Sequence, residues 1–178
     1  MESLAPHALK INPNRSAELY ETRASFFLGN KQYKEAISDY EKAITLGVSD
    51  PILYFSLGRA YAAENQYSKS NIAYRKSLKA GGENISAIYY NKGLNYTNLE
   101  KYSEALKNYT LYIKAQPTDP DGYFMRAMTA LSSESRDIDA ALQDIDKAID
   151  LECNNVNLKT YKLRSKILRE AGDLNGAI

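Results

Sequence analysis

The 178-residue sequence predicts an all-α fold, a superhelical solenoid built from antiparallel helix hairpins. Thirteen of its 15 tyrosines fall on four columns that recur every 34 to 38 residues, which indicates an internal repeat. Within each repeat the large apolar residues follow the 3.6-residue period of an α-helix in two successive segments. One such hairpin is too small to bury its own apolar face, so we expect consecutive hairpins to stack on one another.

The longest tyrosine column sets the boundaries of the repeats. It comprises Tyr20, Tyr54, Tyr89, Tyr123 and Tyr161. With this column taken as position 4, full repeats lie at 17–50, 51–84, 85–119 and 120–155, and positions in the third repeat count from residue 86. Residues 156–178 form a partial fifth repeat, and residues 1–16 form the tail of a preceding repeat or an N-terminal extension. We expect all of them to belong to one solenoid domain.

Each repeat contains a first helix, a turn and a second helix. Large residues at positions 4, 7 or 8, and 11 share one face of the first helix, and positions 17, 20, 21, 24, 27 and 28 share one face of the second. Small residues recur at position 8, where the sequence has Ala24, Gly58, Gly93, Ala127 and Ser165. Asp50-Pro51 and Asp119-Pro120 predict helix starts, and Gly81-Gly82 predicts a helix end.

The third and fourth repeats depart from the pattern. The turn of the fourth repeat, 132–137, is two residues longer than the others, and we expect it to be exposed and mobile. Tyr112 stands at position 27, which is otherwise small. Because Ala130 replaces the large residue at position 11 of the next repeat, we expect the Tyr112 ring to fill the space that Ala130 leaves.

Composition argues against several classes of protein. The 23 Lys and Arg residues balance 22 Asp and Glu residues, so we expect no nucleic-acid or anionic-membrane partner. One histidine, His7, and one cysteine, Cys153, cannot assemble a zinc site or a catalytic triad, and the sequence has no glycine-rich phosphate loop. We therefore expect no catalytic residue, metal or cofactor. The first 20 residues lack a signal-peptide core, which favours the cytoplasm.

These columns resemble the tetratricopeptide repeat, which has aromatic residues at positions 4 and 24 and small residues at positions 8, 20 and 27. The resemblance covers residues 17–178 and is closest in the first helix of the second repeat, 51–61. It implies a right-handed superhelix and a non-enzymatic scaffold for protein–protein interactions. Residues 8–14 resemble the end of a second helix and 174–178 the start of another, so we expect a fragment of a longer array.

The resemblance implies that positions 2, 5, 9 and 12 of each first helix line a concave groove that binds a peptide or a helix of a partner. Helical geometry independently places these positions on one stripe. The residues that we expect to bind a partner are Phe55, Arg59, Tyr90, Leu94, Phe124, Met128, Lys162 and Lys166. Aromatic residues and arginine commonly dominate binding energy at such surfaces. The alternative is that the superhelix itself, or flanking parts of a parent chain, cover these side chains.

Several functional alternatives stay open. The two lysines with which related repeats clamp the acidic tails of Hsp70 and Hsp90 are replaced by Glu21 and Tyr90 in one register and by Phe55 and Phe124 in the next, so we expect no partner of that kind. The acidic residues of the fourth repeat face the basic last helix, or the lysines of that helix bind an acidic partner. The chain can instead be a regulatory or substrate-recruiting arm of a larger enzyme, or a module that forms homo-oligomers through exposed repeat ends.

Overall fold

The computed structural model describes residues 13–152 and 157–172, and all regular secondary structure in those ranges is helical. The helices are α1 (Pro13–Gly29), α2 (Tyr33–Thr45), α3 (Pro51–Ala63), α4 (Tyr67–Lys79), α5 (Ile85–Asn98), α6 (Tyr102–Ala115), α7 (Pro120–Ser132), α8 (Ile138–Leu151) and α9 (Leu158–Ala171). The predicted all-α class of sequential helix hairpins is confirmed. Within the same ranges, no helix combines the length and the apolar character that crossing a membrane requires.

The chain divides into two compact units, and the first of them ends at Asn84. In this unit α1 pairs with α2, α3 pairs with α4, and α2 packs against α3 to join the two hairpins. The buried cluster of the unit contains Ala24, Ala36, Ile37, Tyr40, Ala43, Leu53, Tyr54, Leu57, Ala60, Tyr61 and Ala73. The core of this unit therefore draws on the residue columns that define the repeat.

The second unit begins at Ile85 and contains the remaining helices. Here α5 pairs with α6 and α7 pairs with α8, while α6 packs against α7 and α9 packs against α8. One buried cluster of this unit contains Ala127, Ala130, Leu131, Ala141, Ile145 and Ile167. Phe124, Leu142 and Leu163 pack against this cluster, so α9 contributes apolar side chains to it although no second helix following α9 is described.

The glycine at position 8 and the tyrosine at position 24 explain each other. A Cβ on Gly58 would lie 2.6 Å from a ring carbon of Tyr74, and a Cβ on Gly93 would lie 2.5 Å from the same atom of Tyr109. Ordinary carbon contacts are about 3.5–4.0 Å, so the ring occupies the space that a side chain at position 8 would need. Both tyrosines are fully buried. This contact fixes the separation of the two helices within the second and third repeats.

The predicted helix ends are confirmed at both ends of the second repeat. The Asp50 carboxylate accepts hydrogen bonds from the backbone N–H groups of Ile52 at 2.7 Å and Leu53 at 3.0 Å, as an N-cap does. After α4, Gly81 has a φ of +84°, and the N–H of Gly82 donates to the Ser77 carbonyl oxygen at 3.0 Å. A left-handed residue with this hydrogen bond is the usual helix stop, and glycine adopts it without steric cost.

Two segments differ from the sequence-based expectations. Helix α1 begins at Pro13, four residues before the predicted start of the first repeat. Proline suits the first helical turn because its missing N–H has no partner there. The turn at 132–137 is exposed, as expected, apart from Ser133, whose hydroxyl donates to the Ala130 carbonyl oxygen at 2.7 Å. The remaining residues of the predicted tail, with His7 and Cys153, lie outside the described residues.

Candidate partner-binding stripes

We define the stripe of a repeat as positions 2, 5, 9 and 12 of its first helix. In the first unit, the stripe of α3 consists of Ile52, Phe55, Arg59 and Ala62. Ile52 is 63% exposed and Arg59 is exposed, whereas Phe55 and Ala62 are half-buried. Leu57 is buried on the other side of the same helix. The stripe therefore presents an apolar surface with one cation, directed away from the core.

Phe55 is held by a rigid support. Its ring centroid lies 5.8 Å from that of Tyr74, with the two planes at 45°. Tyr74 in turn is fully buried against Gly58 and has little freedom to move. A half-buried phenylalanine on a fixed ring can add contact area to a bound segment without a large entropy cost, because its conformation is already set.

Arg59 and the hydroxyl of Tyr74 lie close enough to interact electrostatically. Burial raises the pKa of Tyr74 to about 12, while the nearby Ser70 side chain and the charge of Arg59 act in the opposite direction. Among the ion pairs of the described residues, none involves Arg59. Its guanidinium is therefore available for a carboxylate or a carbonyl oxygen of a partner.

The stripe of α1, also in the first unit, is acidic. It includes Glu18, which is exposed, and Glu21, which is half-buried. Burial raises the pKa of Glu21, and repulsion from the carboxylates of Asp50 and Glu18 adds to the effect. The carboxylates at this end of the first unit therefore attract a cationic group of a partner and repel an anionic one.

In the second unit, Tyr90 of α5 belongs to a group of three tyrosine rings. Its centroid lies 6.1 Å from that of Tyr109, edge to face, and 5.1 Å from that of Tyr112. Tyr90 is half-buried. Its ring lies against Tyr109 at position 24 of the third repeat, as the ring of Phe55 lies against Tyr74 at position 24 of the second repeat. Burial raises the pKa of Tyr90, with smaller contributions from the charges of Asp121 and Asp119.

Tyr112 is buried, but the residue that makes room for it is Gly122. A Cβ on Gly122 would lie 2.8 Å from a Tyr112 ring carbon, and the Tyr112 hydroxyl donates a hydrogen bond to Asp119. Ala130 packs instead in the cluster around Ile145. The expectation that Ala130 accommodates the ring is therefore replaced by a contact with the start of α7. The glycine at position 3 of the fourth repeat was the sequence signal that could have shown this.

Further apolar stripe residues of the second unit are Leu94 on α5 with Phe124 and Met128 on α7, and each is half-buried. Phe124 packs on the buried cluster of this unit and so has a fixed base. Leu131, at position 12 of the same helix, is only 5% exposed and cannot line an open surface. On α7 the accessible part of the stripe therefore ends at Met128.

The basic stripe of α9 is exposed along its whole length. It consists of Lys159, Lys162, Lys166 and Arg169. The Lys166 ammonium lies 3.9 Å from Glu170 on the same helix, a weak surface pair, and the Arg169 guanidinium donates to Ser165 at 3.2 Å. No described ion pair involves Lys162. These cations remain accessible to an acidic partner.

Asp144 and Asp146 of α8 pair with arginines that lie off the basic stripe. Asp146 pairs with Arg164 of α9 at 2.6 Å, so one predicted contact with the last helix is present. Asp144, however, is buried and accepts hydrogen bonds from Nε and Nη2 of Arg126, each at 2.7 Å. Arg164 is at position 7 of its repeat, off the stripe. The charge interaction between the two helices is therefore separate from the exposed lysines.

A recurrent ion pair escaped the sequence analysis. Arg126 and Asp144 stand at positions 7 and 23 of the fourth repeat, and Arg23 and Asp39 stand at the same positions of the first. Arg23 donates from Nε at 2.5 Å and from Nη2 at 3.0 Å to the Asp39 carboxylate, which is buried. Two arginine–aspartate pairs at equivalent positions were visible in the sequence, but each residue alone suggests only a solvated helix face.

Chemistry is sparse in the described part of the chain. Within residues 13–152 and 157–172, no group of three or more His, Cys, Asp or Glu side chains could hold a metal ion. Tyrosines are the most numerous groups whose pKa values shift, and burial is the largest cause for each of these tyrosines. These shifts reflect packing.

Comparison with known families and proteins agrees with this geometry. The family described as Tetratricopeptide repeat matches residues 17–46 and 86–119. Serine/threonine-protein phosphatase 5 of Rattus norvegicus is 28% identical over 107 residues, which cover 60% of this chain and 21% of the phosphatase. Human tetratricopeptide repeat protein 6 is 33% identical over 96 residues, which cover 53% of this chain and 18% of that protein. The chain thus spans about a fifth of the length of these curated relatives.

Solved structures share the fold at low sequence identity. MamA from Desulfovibrio magneticus RS-1 superposes with a TM-score of 0.79 and 20% identity, covering 90% of this chain and 88% of that one. YrrB, described as a TPR protein with an unusual peptide-binding site, superposes with a TM-score of 0.77 and 19% identity, covering 99% of this chain and 88% of that one. At this identity the likeness concerns the arrangement of the helices.

Proposed function

Because the chain is a tetratricopeptide repeat protein, we propose that it is a non-enzymatic interaction module whose stripes bind a peptide or a helix of a partner protein. The observation that carries the proposal is the recurrence of a half-buried aromatic residue, Phe55 or Tyr90, on a buried tyrosine ring in two different repeats. Both rings keep part of their surface accessible on the stripe, away from the residue columns that form the core. A half-buried aromatic stripe is typical of surfaces that bind proteins.

The chemistry of the stripes defines the kind of partner. In the first unit, Phe55 and Ile52 offer apolar contact beside the cation of Arg59. In the second, Leu94, Phe124 and Met128 extend the apolar surface around Tyr90; the exposed Lys162 and Lys166 are its basic residues. The complementary segment is amphipathic, with apolar anchors and carboxylates. An acidic tail bound by its terminal carboxylate is not expected, since neither register of the repeats supplies the clamp lysines: Glu21 and Tyr90 replace them in one, Phe55 and Phe124 in the other. A peptide of the Hsp90 tail should therefore show no saturable binding.

Affinity capture with matched variants tests the proposal. The wild-type chain, Phe55→Ala and Phe26→Ala are each used as bait in one lysate. Phe26 is a suitable control because it is 66% exposed and stands at position 10, off the stripe. We expect Phe55→Ala to lose the specific partner and Phe26→Ala to retain it, with both variants showing the wild-type helical signal. A partner retained by Phe55→Ala and by Tyr90→Ala would overturn the proposal.

A second candidate function is a recruiting arm of a larger enzyme. The similarity to a serine/threonine phosphatase, of which the matching segment covers only 21%, favours it. In that arrangement the stripes bind a substrate or a regulator, and catalysis belongs to another domain. The sequence of the complete gene product distinguishes the two, because the second candidate requires a catalytic domain in the same chain.

A further inference from the structure

The first unit contains a cleft that the stripes do not explain. It has a volume of about 440 Å³ and lies between α2 and α4. Its floor is formed by Tyr54, Leu57 and Tyr61 of α3, at positions 4, 7 and 11. These positions lie on a different side of α3 from the stripe, because residues two apart on a helix are separated by about 200°. We call this concavity the α2–α4 cleft.

The cleft is open where the second repeat lacks an ion pair that the first and fourth repeats contain. Positions 7 and 23 hold Arg23 with Asp39 in the first repeat and Arg126 with Asp144 in the fourth. In the second repeat the same positions hold Leu57 and Ala73, which are shorter and apolar. In the fourth repeat the equivalent concavity has a volume of only about 270 Å³, and its wall carries the ion pair.

The rim of the α2–α4 cleft is positively charged. The Lys69 ammonium lies 5.4 Å from the centre of the Tyr61 ring, and the Lys76 ammonium lies 5.6 Å from the centre of the Tyr54 ring. Among the ion pairs of the described residues, none involves either lysine. The one carboxylate in the lining, Glu41, accepts a hydrogen bond from the Tyr61 hydroxyl. The two cations therefore lack a carboxylate partner.

Apolar side chains complete the lining between the lysines. Ile72 on the rim is 46% exposed, while Leu57 and Ala73 in the floor are buried. An apolar floor with cations on its rim is complementary to an apolar side chain flanked by carboxylates. Lys69 and Lys76 are seven residues apart on α4, a distance of about 10 Å along the helix. An extended chain covers this distance in about three residues.

The geometry points to the α2–α4 cleft as a second binding site, for an extended acidic segment of a partner protein that inserts an apolar side chain between two carboxylate residues about three positions apart. The apolar side chain contacts Leu57, Ala73 and Ile72, and the carboxylates pair with Lys69 and Lys76. The site is independent of the proposed role of the stripes, because it shares no residue with them.

The test refills the cleft with the ion pair that the chain itself uses elsewhere. Leu57→Arg combined with Ala73→Asp recreates positions 7 and 23 of the first and fourth repeats. Phage-displayed random peptides are selected on the wild-type chain after removal of those that bind the refilled variant. We expect the enriched peptides to carry an apolar residue between two acidic residues. Synthetic copies labelled with a fluorophore should bind the refilled variant at least tenfold more weakly than wild type.

Two further variants complete the test. The double variant Lys69→Glu, Lys76→Glu changes only exposed side chains and should also bind the peptides at least tenfold more weakly than wild type. This variant tests the proposal if the refilled variant does not fold. Phe55→Ala should leave their affinity unchanged, so failure of this site and failure of the stripes are distinguishable. The proposal is overturned if no peptide is enriched, if the enriched peptides are basic or lack an apolar residue, or if the variants bind them as wild type does. Concentration-dependent self-association that the refilled variant abolishes would identify a second copy as the occupant and would also overturn it.

Discussion

Replacement of Gly122 by alanine tests the packing that the structure assigns to Tyr112. The new Cβ would lie 2.8 Å from a Tyr112 ring carbon and 2.9 Å from Cγ1 of Ile113, well inside ordinary contact distance. The ring cannot easily move away, because its hydroxyl is hydrogen-bonded to Asp119, which also caps α7. Overpacking of this kind costs about 1–3 kcal/mol.

The helix itself gains from the same substitution, which reduces the net effect. Alanine is preferred over glycine inside helices by about 0.5–1 kcal/mol. The gain is at the lower end here because Gly122 is the third residue of α7. We therefore expect Gly122→Ala to lower the free energy of unfolding by about 1–2 kcal/mol. Gly29→Ala is the matched control: no heavy atom lies within 4 Å of its Cβ position, so we expect no loss and at most a gain of about 1 kcal/mol.

Urea unfolding followed by far-ultraviolet circular dichroism measures both effects as shifts of the midpoint. Tyr112→Ala provides the second arm of a double-mutant cycle, since it removes the ring that the new methyl group would meet. In that background only the contact with Ile113 remains, so Gly122→Ala should cost at least about 1 kcal/mol less than it does in wild type. The same cost with and without the ring, or a wild-type chain stabilised by Gly122→Ala, would refute the contact.

Three other predictions concern stability. Asp50→Ala should lower the free energy of unfolding by about 0.5–2 kcal/mol in urea titrations, because two backbone N–H groups lose their acceptor. Glu134→Ala, in an exposed turn, is the control and should change the free energy of unfolding by less than about 0.5 kcal/mol. Asp144→Ala should cost about 1–3 kcal/mol, since it leaves a half-buried guanidinium without its carboxylate; an unchanged midpoint would contradict this. Burial raises the pKa of Tyr74 and of Tyr109 from 10 to about 12, so the unfolded chain loses these protons first. The stability that these tyrosines contribute is complete below pH 10 and is lost between about pH 10 and 12. Replacing both with phenylalanine should therefore reduce the decrease of the urea midpoint over this pH range.

The fold was predictable because the packing constraints of the repeat recur at a fixed spacing along the sequence. Position 8 is glycine in the second and third repeats because the rings of Tyr74 and Tyr109 fill the space beside it, and such a constraint recurs with the same spacing. The Asp50 cap was equally visible, since it depends on one side chain and its own backbone. Features that recur at the same position of successive repeats, or that depend on one side chain and its own backbone, can therefore be predicted from a single sequence.

The sequence does not predict which of several possible neighbours a side chain packs against. Tyr112 had two small residues within reach along the chain, and only the geometry of α6 and α7 selects Gly122 over Ala130. Leu131 obeys the stripe pattern but is buried by the cluster around it. The α2–α4 cleft is open where the second repeat lacks an ion pair whose members are 16 residues apart in the first repeat, and sequence alone did not show that they meet.

The central claim is that the stripes bind a partner, and the affinity of the captured partner tests it most directly. The dissociation constant of the partner's binding segment is measured by isothermal titration calorimetry for wild type, Phe55→Ala and Phe26→Ala. Removing a central aromatic anchor should weaken binding at least tenfold for Phe55→Ala, while Phe26→Ala should bind within about twofold of wild type. Equal affinities for all three proteins, together with wild-type affinity for Tyr90→Ala, would contradict the account.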